Sequence, residues 1–175
     1  MARFLLTALV LLLFVLEGTV VQVLSPSTGG LSWMTVPRFA LVCSILISMF
    51  LGRREGLYYG LAFGFLQDVL YGQVIGIYSV SMMVASYFSG LIVLLFQRGF
   101  GMVFITTILV IFGHEWLLYS MYRVFSLAPH DVQWILNRQI LPTVIMNAVF
   151  ALVIYLPIRR LCKAIESKKE LSTME

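Results

Sequence analysis

The sequence predicts an all-α fold: a polytopic membrane protein with six transmembrane helices and both termini in the cytoplasm. Hydrophobic residues make up 61% of the 175 residues and charged residues 11%, whereas a soluble domain has about 25% charged residues. The charges are therefore too few to cover a water-facing surface. The apolar residues also fall into six runs close to the length of about 20 residues that crosses a bilayer core. Lys and Arg concentrate on one side of these runs.

The first two predicted helices are long apolar runs. The first, residues 4–24, contains one charged residue, Glu17. It is longer than the apolar region of a signal peptide and lacks a clean Ala-x-Ala cleavage site, which favours a retained membrane anchor. The second, residues 36–51, has Pro37 near its start, where a proline is tolerated because the first helical N–H groups have no partner within the helix.

The remaining helices are separated by short polar or glycine-bearing connections. The third and fourth predicted helices cover residues 56–71 and 77–96, and the fifth and sixth cover residues 102–122 and 139–157. Asp131, in the longest connection, is expected to be the N-cap of a short interfacial helix. Together the six helices form one transmembrane domain of residues 1–158, followed by a basic amphipathic cytoplasmic tail of residues 159–175.

The orientation follows from the positions of Lys and Arg. Nine of the twelve basic residues fall on the side that holds both termini. They are Arg3, Arg53, Arg54, Arg98, Arg159, Arg160, Lys163, Lys168 and Lys169. The other three are Arg38, Arg123 and Arg138. Because short cytoplasmic loops carry an excess of Lys and Arg, this side is expected to be cytoplasmic. The net charge of +4 then reflects topology, and nucleic acid is not an expected partner.

Four ionisable residues interrupt the predicted helices at one depth: Glu17, Arg38, Asp68 and Glu115. Each lies about 18–20 Å from the cytoplasmic end of its helix, at a rise of about 1.5 Å per residue. An isolated charge at mid-bilayer costs about 2.5–3.5 kcal/mol on insertion scales. The four residues must therefore be paired, protonated or hydrated.

The predicted polar cluster consists of these four residues with Arg138 and Asn147, which provide further charge and hydrogen bonds. Two interpretations are open. The cluster is either a proton or substrate site, or a set of polar contacts that organises the helices and a partner. Charged residues near the membrane interface cost less free energy than charged residues at the midplane. This lower cost favours the second interpretation.

Glycines at four-residue spacing mark the third predicted helix. Gly56, Gly60 and Gly64 lie on one ridge, and Asp68 continues it. Small residues at this spacing let another helix approach closely. The sequence therefore predicts a helix-packing strip that leads to Asp68, with packing inside the protein favoured over dimerisation.

The sequence offers no candidate catalytic constellation. His114-Glu115 begins a zinc-protease pattern, but Leu118 occupies the position where a second histidine is needed. No nucleotide, haem or iron–sulfur motif is visible, and no Ser, His and Asp share a depth. We therefore expect no enzymatic activity, no cofactor and no metal.

Several short segments together resemble the MreD family of bacterial rod shape-determining proteins. They are Val36-Pro37-Arg38-Phe39, the run YGLAFGFLQDV at 59–69, Glu115, and Arg138 with Leu141-Pro142-Thr143 and Asn147. The order and spacing of these segments cover nearly the full chain.

This resemblance implies a multi-pass protein of the bacterial inner membrane, surrounded by lipid, that belongs to the elongation machinery. It implies direct binding to MreC, with MreB, RodA, RodZ and a class B penicillin-binding protein as further members of the complex. The expected function is a non-catalytic scaffold or regulator of lateral peptidoglycan synthesis in rod shape determination.

The resemblance also implies a fold similar to the S components of energy-coupling-factor vitamin transporters, which gives small-solute binding as an alternative function. S components typically carry an Ala-x-x-x-Ala strip on their first helix. Here Ala8 is followed at that spacing by Leu12, and Ala2 by Leu6, which favours the scaffold. A third interpretation, a lipid-handling protein, is based only on the polar outer half of the predicted bundle.

Overall fold

The part of the chain that the computed structural model describes is helical and contains no β-strand, as the sequence predicts. This part comprises residues 2–24, 35–96, 99–127 and 131–171. The helices are α1 (Ala2–Leu24), α2 (Phe39–Leu51), α3 (Arg53–Tyr71), α4 (Ile77–Leu95), α5 (Phe100–Val124), α6 (Val132–Ile135) and α7 (Leu141–Leu171), with a π-helical turn (Leu136–Ile140) between the last two.

Successive long helices run in opposite directions. Arg3 at the start of α1 pairs with Glu55 at the start of α3 at 3.1 Å. Asn147 in α7 hydrogen-bonds to the backbone of Arg38, immediately before α2. We call the end where α1, α3 and α5 begin the proximal end, and the end where α2, α4 and α7 begin the distal end. Both the first and the last described residue lie at the proximal end.

Four of the described helical segments are long and apolar enough to cross a membrane. These segments are Ala2–Thr19, Ile77–Leu95, Phe100–Val124 and Val132–Lys168. Helix α2 is apolar but has only 13 residues, about 20 Å at 1.5 Å per residue. Helix α3 carries charged residues in its first turn, which lowers its hydropathy. The fold is that of a polytopic membrane protein.

Helix α2 lies at the centre of the bundle. Residues 40–49 are all buried, and α2 contacts α1, α3, α4, α5 and α7. A helix that is apolar on every face is stable only when it is enclosed on every face. The other helices therefore surround α2, and their outer faces carry most of the exposed large apolar side chains.

The start of α2 differs from the prediction. The sequence predicts a helix from residue 36, but the structure has non-helical backbone until Phe39. Pro37 disfavours the helical conformation at Val36, the residue before it, and Arg38 has φ −130° and ψ 54°. The chain therefore enters the bundle in an irregular conformation at Arg38.

The last helix also differs from the prediction, since α7 continues through Pro157 to Leu171 instead of ending near residue 157. A proline inside a helix removes one backbone hydrogen bond. Packing offsets this loss, because Ile158, Cys162 and Ile165 follow the proline on one face and are all buried. Residues 172–175 of the predicted tail lie outside the described part, and the division of the chain at residue 158 stays a prediction.

The glycines of α3 face neighbouring helices inside the protein. A Cβ atom added at Gly56 would lie 2.1 Å from Cβ of Ser48 in α2. At Gly60 and Gly64 it would lie 2.7 Å from the carbonyl oxygen of Met82 and 2.8 Å from Cα of Ser79, both in α4. In each case the absence of a side chain permits the close approach of the two helices.

We expect Gly56→Ala to lower the free energy of unfolding by about 1–3 kcal/mol, because the added methyl group forces α3 away from α2. Thermal unfolding in detergent measures this loss. Gly113→Ala in α5 is the matched control, since its Cβ would meet nothing within 4 Å, and we expect it to be neutral or slightly stabilising. Equal effects of the two substitutions would contradict the proposed packing.

Candidate functional site

A buried ion pair lies in the distal half of the bundle. Nε of Arg38 donates a hydrogen bond to Oε1 of Glu115 at 2.8 Å, and the two side chains are only 6% and 2% exposed. The Arg38 guanidinium also lies over the ring of Tyr78, 5.2 Å from its centroid. Because Arg38 precedes α2 and Glu115 belongs to α5, the ion pair links these two helices.

The non-helical segment before α2 is held by two polar side chains of α7. Oδ1 of Asn147 accepts from the backbone N–H of Arg38 at 2.8 Å, and its Nδ2 donates to the carbonyl oxygen of Val36 at 3.1 Å. Oγ1 of Thr143 accepts from the N–H of Val36 at 3.1 Å. Irregular backbone at membrane depth needs such protein partners, because lipid offers none.

Glu17 of α1 caps the start of α2. Its Oε2 accepts from the backbone N–H of Ala40 at 3.0 Å, and its Oε1 accepts from Nε2 of Gln67 at 2.9 Å. The N-cap residue itself, Arg38, provides no capping side chain. The carboxylate from α1 therefore satisfies an unpaired N–H group and faces the positive end of the helix dipole.

Asp68 of α3 caps the start of α4 in the same manner. Its Oδ1 accepts from the N–H of Tyr78 at 2.9 Å, and its Oδ2 accepts from the N–H of Ser79 at 2.8 Å and from the Ser79 hydroxyl. The N-cap residue, Gly76, has φ 108° and no side chain to offer. Two helices of the distal half thus begin at a carboxylate that comes from another helix.

The predicted cluster is distributed over these contacts. Arg38, Glu115 and Asn147 come together before α2. Glu17 binds the N–H of Ala40, two residues after Arg38, and Asp68 lies separately at the start of α4. Arg138 is half-buried in the π-helical turn. The part that these residues play in binding a partner stays a prediction.

Sequence reasoning gave no role at the site to three residues that complete these contacts, although two of them, Gln67 and Thr143, lie in the segments that resemble the family; the third is Ser79. Each is a buried polar residue within an otherwise apolar helix, which is a weak signal by itself. A stronger signal is that neither Arg38 nor Gly76 can cap the helix that follows it. A helix start without a local Ser, Thr, Asp or Asn requires its cap from elsewhere.

A cavity of about 140 Å³ adjoins the ion pair. Its lining includes Arg38 and Glu115, with Tyr119, Tyr122 and Gln139 further from the buried end. A second, mostly apolar groove of about 270 Å³ lies between α4 and α5. Sites for drug-sized ligands usually have about 300–1,000 Å³, so both spaces are small.

The chemistry of the buried acids is that of structural anchors. Glu17 and Asp68 accept hydrogen bonds from the starts of helices, and Glu115 binds Arg38. Among the residues that the structure describes, no group of three His, Cys, Asp or Glu side chains is placed to hold a metal ion. These contacts fix helices relative to one another and require no reacting group.

Comparison with known proteins gives the family. The family model described as rod shape-determining protein MreD matches residues 2–165. The rod shape-determining protein MreD of Bacillus subtilis (strain 168) is 27% identical over 179 residues, an alignment that covers 98% of each chain. No solved structure matches the chain. The chain is a multi-pass membrane protein that belongs to the MreD family of rod shape-determining proteins.

Proposed function

We propose that this chain is a non-catalytic scaffold or regulator of lateral peptidoglycan synthesis that acts through direct binding to MreC. Family membership supports a role in rod shape determination. The observation that supports a scaffold function is that the three buried acids in the described part of the chain all bind other parts of the protein. Glu17 and Asp68 cap helices, and Glu115 pairs with Arg38. Ionisable residues of an ion or substrate pathway face the bundle interior or a water-filled cavity, whereas Glu17 and Asp68 accept from the starts of neighbouring helices.

The proposed topology has six crossings of the bacterial inner membrane with both termini in the cytoplasm. The alternating direction of the long helices supports an even number of crossings, and the excess of Lys and Arg at the proximal end supports its cytoplasmic location. Residues 1–158 form the transmembrane domain in this proposal. Residues 159–175 form the basic cytoplasmic tail, whose first part extends α7.

The proposed contact surface for MreC consists of outward-facing helix surfaces and the outer loops. The buried cluster acts indirectly, because it fixes the helices that present this surface. MreB, RodA, RodZ and a class B penicillin-binding protein are further proposed members of the complex. The alternative, binding of a solute of vitamin size as in an S component, gains no support from the cavity of about 140 Å³ or the groove of about 270 Å³, since both are below the usual size of a site for a drug-sized ligand.

Depletion of the protein in its own bacterium tests the proposed function. We expect rod-shaped cells to widen and become spheres, because lateral wall synthesis loses a member of its machinery. A second copy of the wild-type chain, expressed during depletion, is the control and should preserve rods. Depleted cells that keep their rod shape and width would contradict the proposal.

A further inference from the structure

The cavity beside Arg38 offers hydrogen-bond donors that the described part of the chain does not use. In that part, Nε of Arg38 donates the hydrogen bond to Glu115. The two terminal amino groups of Arg38 make no hydrogen bond to a residue in that part. The side chain is only 6% exposed, and Arg38 lines the cavity.

The rest of the cavity is polar at one side and open at its rim. Tyr78, Tyr119, Tyr122 and Gln139 line it and are each partly exposed, whereas Arg38 is buried. The cavity thus leads from a buried guanidinium to the surface of the bundle at its distal end. Tyrosine is common where a membrane protein meets the headgroup layer.

The guanidinium groups at this cavity provide the attraction for an anion. At the buried end Arg38 pairs with Glu115, and the nearby acids Glu17 and Asp68 accept from the starts of α2 and α4, whose dipoles offset part of their charge. At the rim, Nη1 of Arg123 lies 3.5 Å from the hydroxyl of Tyr119, which lines the cavity. An anionic group that enters meets these two guanidinium groups, and the planar guanidinium of Arg38 can donate to two oxygens of that group at once.

The volume restricts the size of the group. About 140 Å³ is below the range of about 300–1,000 Å³ that is usual for drug-sized ligands. This space suits a small anionic group such as a phosphate with its hydrogen-bonding waters. Two backbone irregularities border the same space: the π-helical turn supplies Gln139, and Ser126, with φ 56°, precedes the lining residue Leu127. Such irregularities occur often at functional sites.

We propose that this cavity binds a phosphate group through the terminal amino groups of Arg38, with Arg123 and the tyrosine hydroxyls at the rim. The phosphate is either that of a phospholipid headgroup or free inorganic phosphate. This site goes beyond the scaffold function, and its test does not involve MreC.

Native mass spectrometry of the purified protein in detergent tests the site. The protein is incubated with phosphatidylglycerol or, as the control without a phosphate, with diacylglycerol that has the same acyl chains. Leu127→Trp blocks the rim, and Leu141→Trp is the matched control, because the two leucines are 40% and 42% exposed and Leu141 does not line the cavity. Arg123→Gln removes a rim charge without altering the core. Competition with inorganic phosphate distinguishes the two sources.

We expect the wild type and Leu141→Trp to retain phosphatidylglycerol, and Leu127→Trp to lower retention roughly tenfold, the effect of losing charged hydrogen bonds. Arg123→Gln should lower it less. Displacement by inorganic phosphate identifies the free anion as a ligand, and retention despite phosphate identifies the lipid headgroup. Equal retention by the two tryptophan variants, retention of diacylglycerol as strong as that of phosphatidylglycerol, or binding of neither phosphate source would overturn the proposal.

Discussion

Glu115→Leu is expected to destabilise the protein by about 3–5 kcal/mol. The change leaves the Arg38 guanidinium without its anionic partner while the side chain remains 6% exposed. Breaking one half of a buried ion pair has this cost because the remaining charge keeps its desolvation penalty and loses its compensation. Thermal or denaturant unfolding of the purified protein in detergent measures the loss.

The control is the double variant Arg38→Met/Glu115→Leu, which removes both charges and keeps a similar volume. Replacing a complete buried ion pair with apolar residues is often neutral or stabilising. We therefore expect the double variant to recover most of the stability that Glu115→Leu loses. A double variant as unstable as the single one would show that an unpaired Arg38 charge is not the cause.

Asp68→Ala is the second substitution with a large expected effect. It removes the acceptor of two backbone N–H groups at the start of α4 and of the Ser79 hydroxyl. Each of the two backbone N–H groups left without a partner costs about 1–3 kcal/mol, so we expect a loss of about 2–6 kcal/mol. Unfolding in detergent measures this loss, and the start of α4 should also exchange its amide hydrogens faster.

Asp131→Ala is the matched control for Asp68→Ala. Asp131 also accepts from the start of a helix, with 2.7 Å between its Oδ1 and the N–H of Val132, but it is exposed. Water can replace this cap, so we expect a cost near the lower end of the usual range of about 0.5–2 kcal/mol. If the two alanine variants lose the same stability, the burial of Asp68 does not strengthen its cap.

The sequence predicts the helical fold well because apolar run length is a local property. The six predicted helices correspond to α1, α2, α3, α4, α5 and α7. The short helix after Asp131 is also confirmed, with Asp131 at its N-cap. The π-helical turn and the continuation of α7 beyond Pro157 were not predicted, because both depend on packing. The buried face of Ile158, Cys162 and Ile165 is apolar in the sequence, but only the fold shows that other helices cover it.

The sequence predicts which residues form the buried polar contacts but not which partners they bind. Helix periodicity places Glu17, Arg38, Asp68 and Glu115 at one depth, and opposite charge makes a pair between Arg38 and an acid an obvious candidate. Periodicity does not show that Glu17 and Asp68 meet backbone N–H groups, because every helix start offers the same donors. Which helix start lies opposite which acid depends on how the helices pack around α2.

Recovery of MreC with the Asp68→Ala variant tests most directly the claim that the buried acids organise a partner-binding scaffold. The tagged chain is purified from its own bacterium, and the amount of MreC per molecule is compared with wild type and Asp131→Ala, beside the thermal stability of each protein. We predict that Asp68→Ala loses both stability and MreC, while Asp131→Ala retains both. An Asp68→Ala protein with wild-type stability and wild-type recovery of MreC would contradict the account.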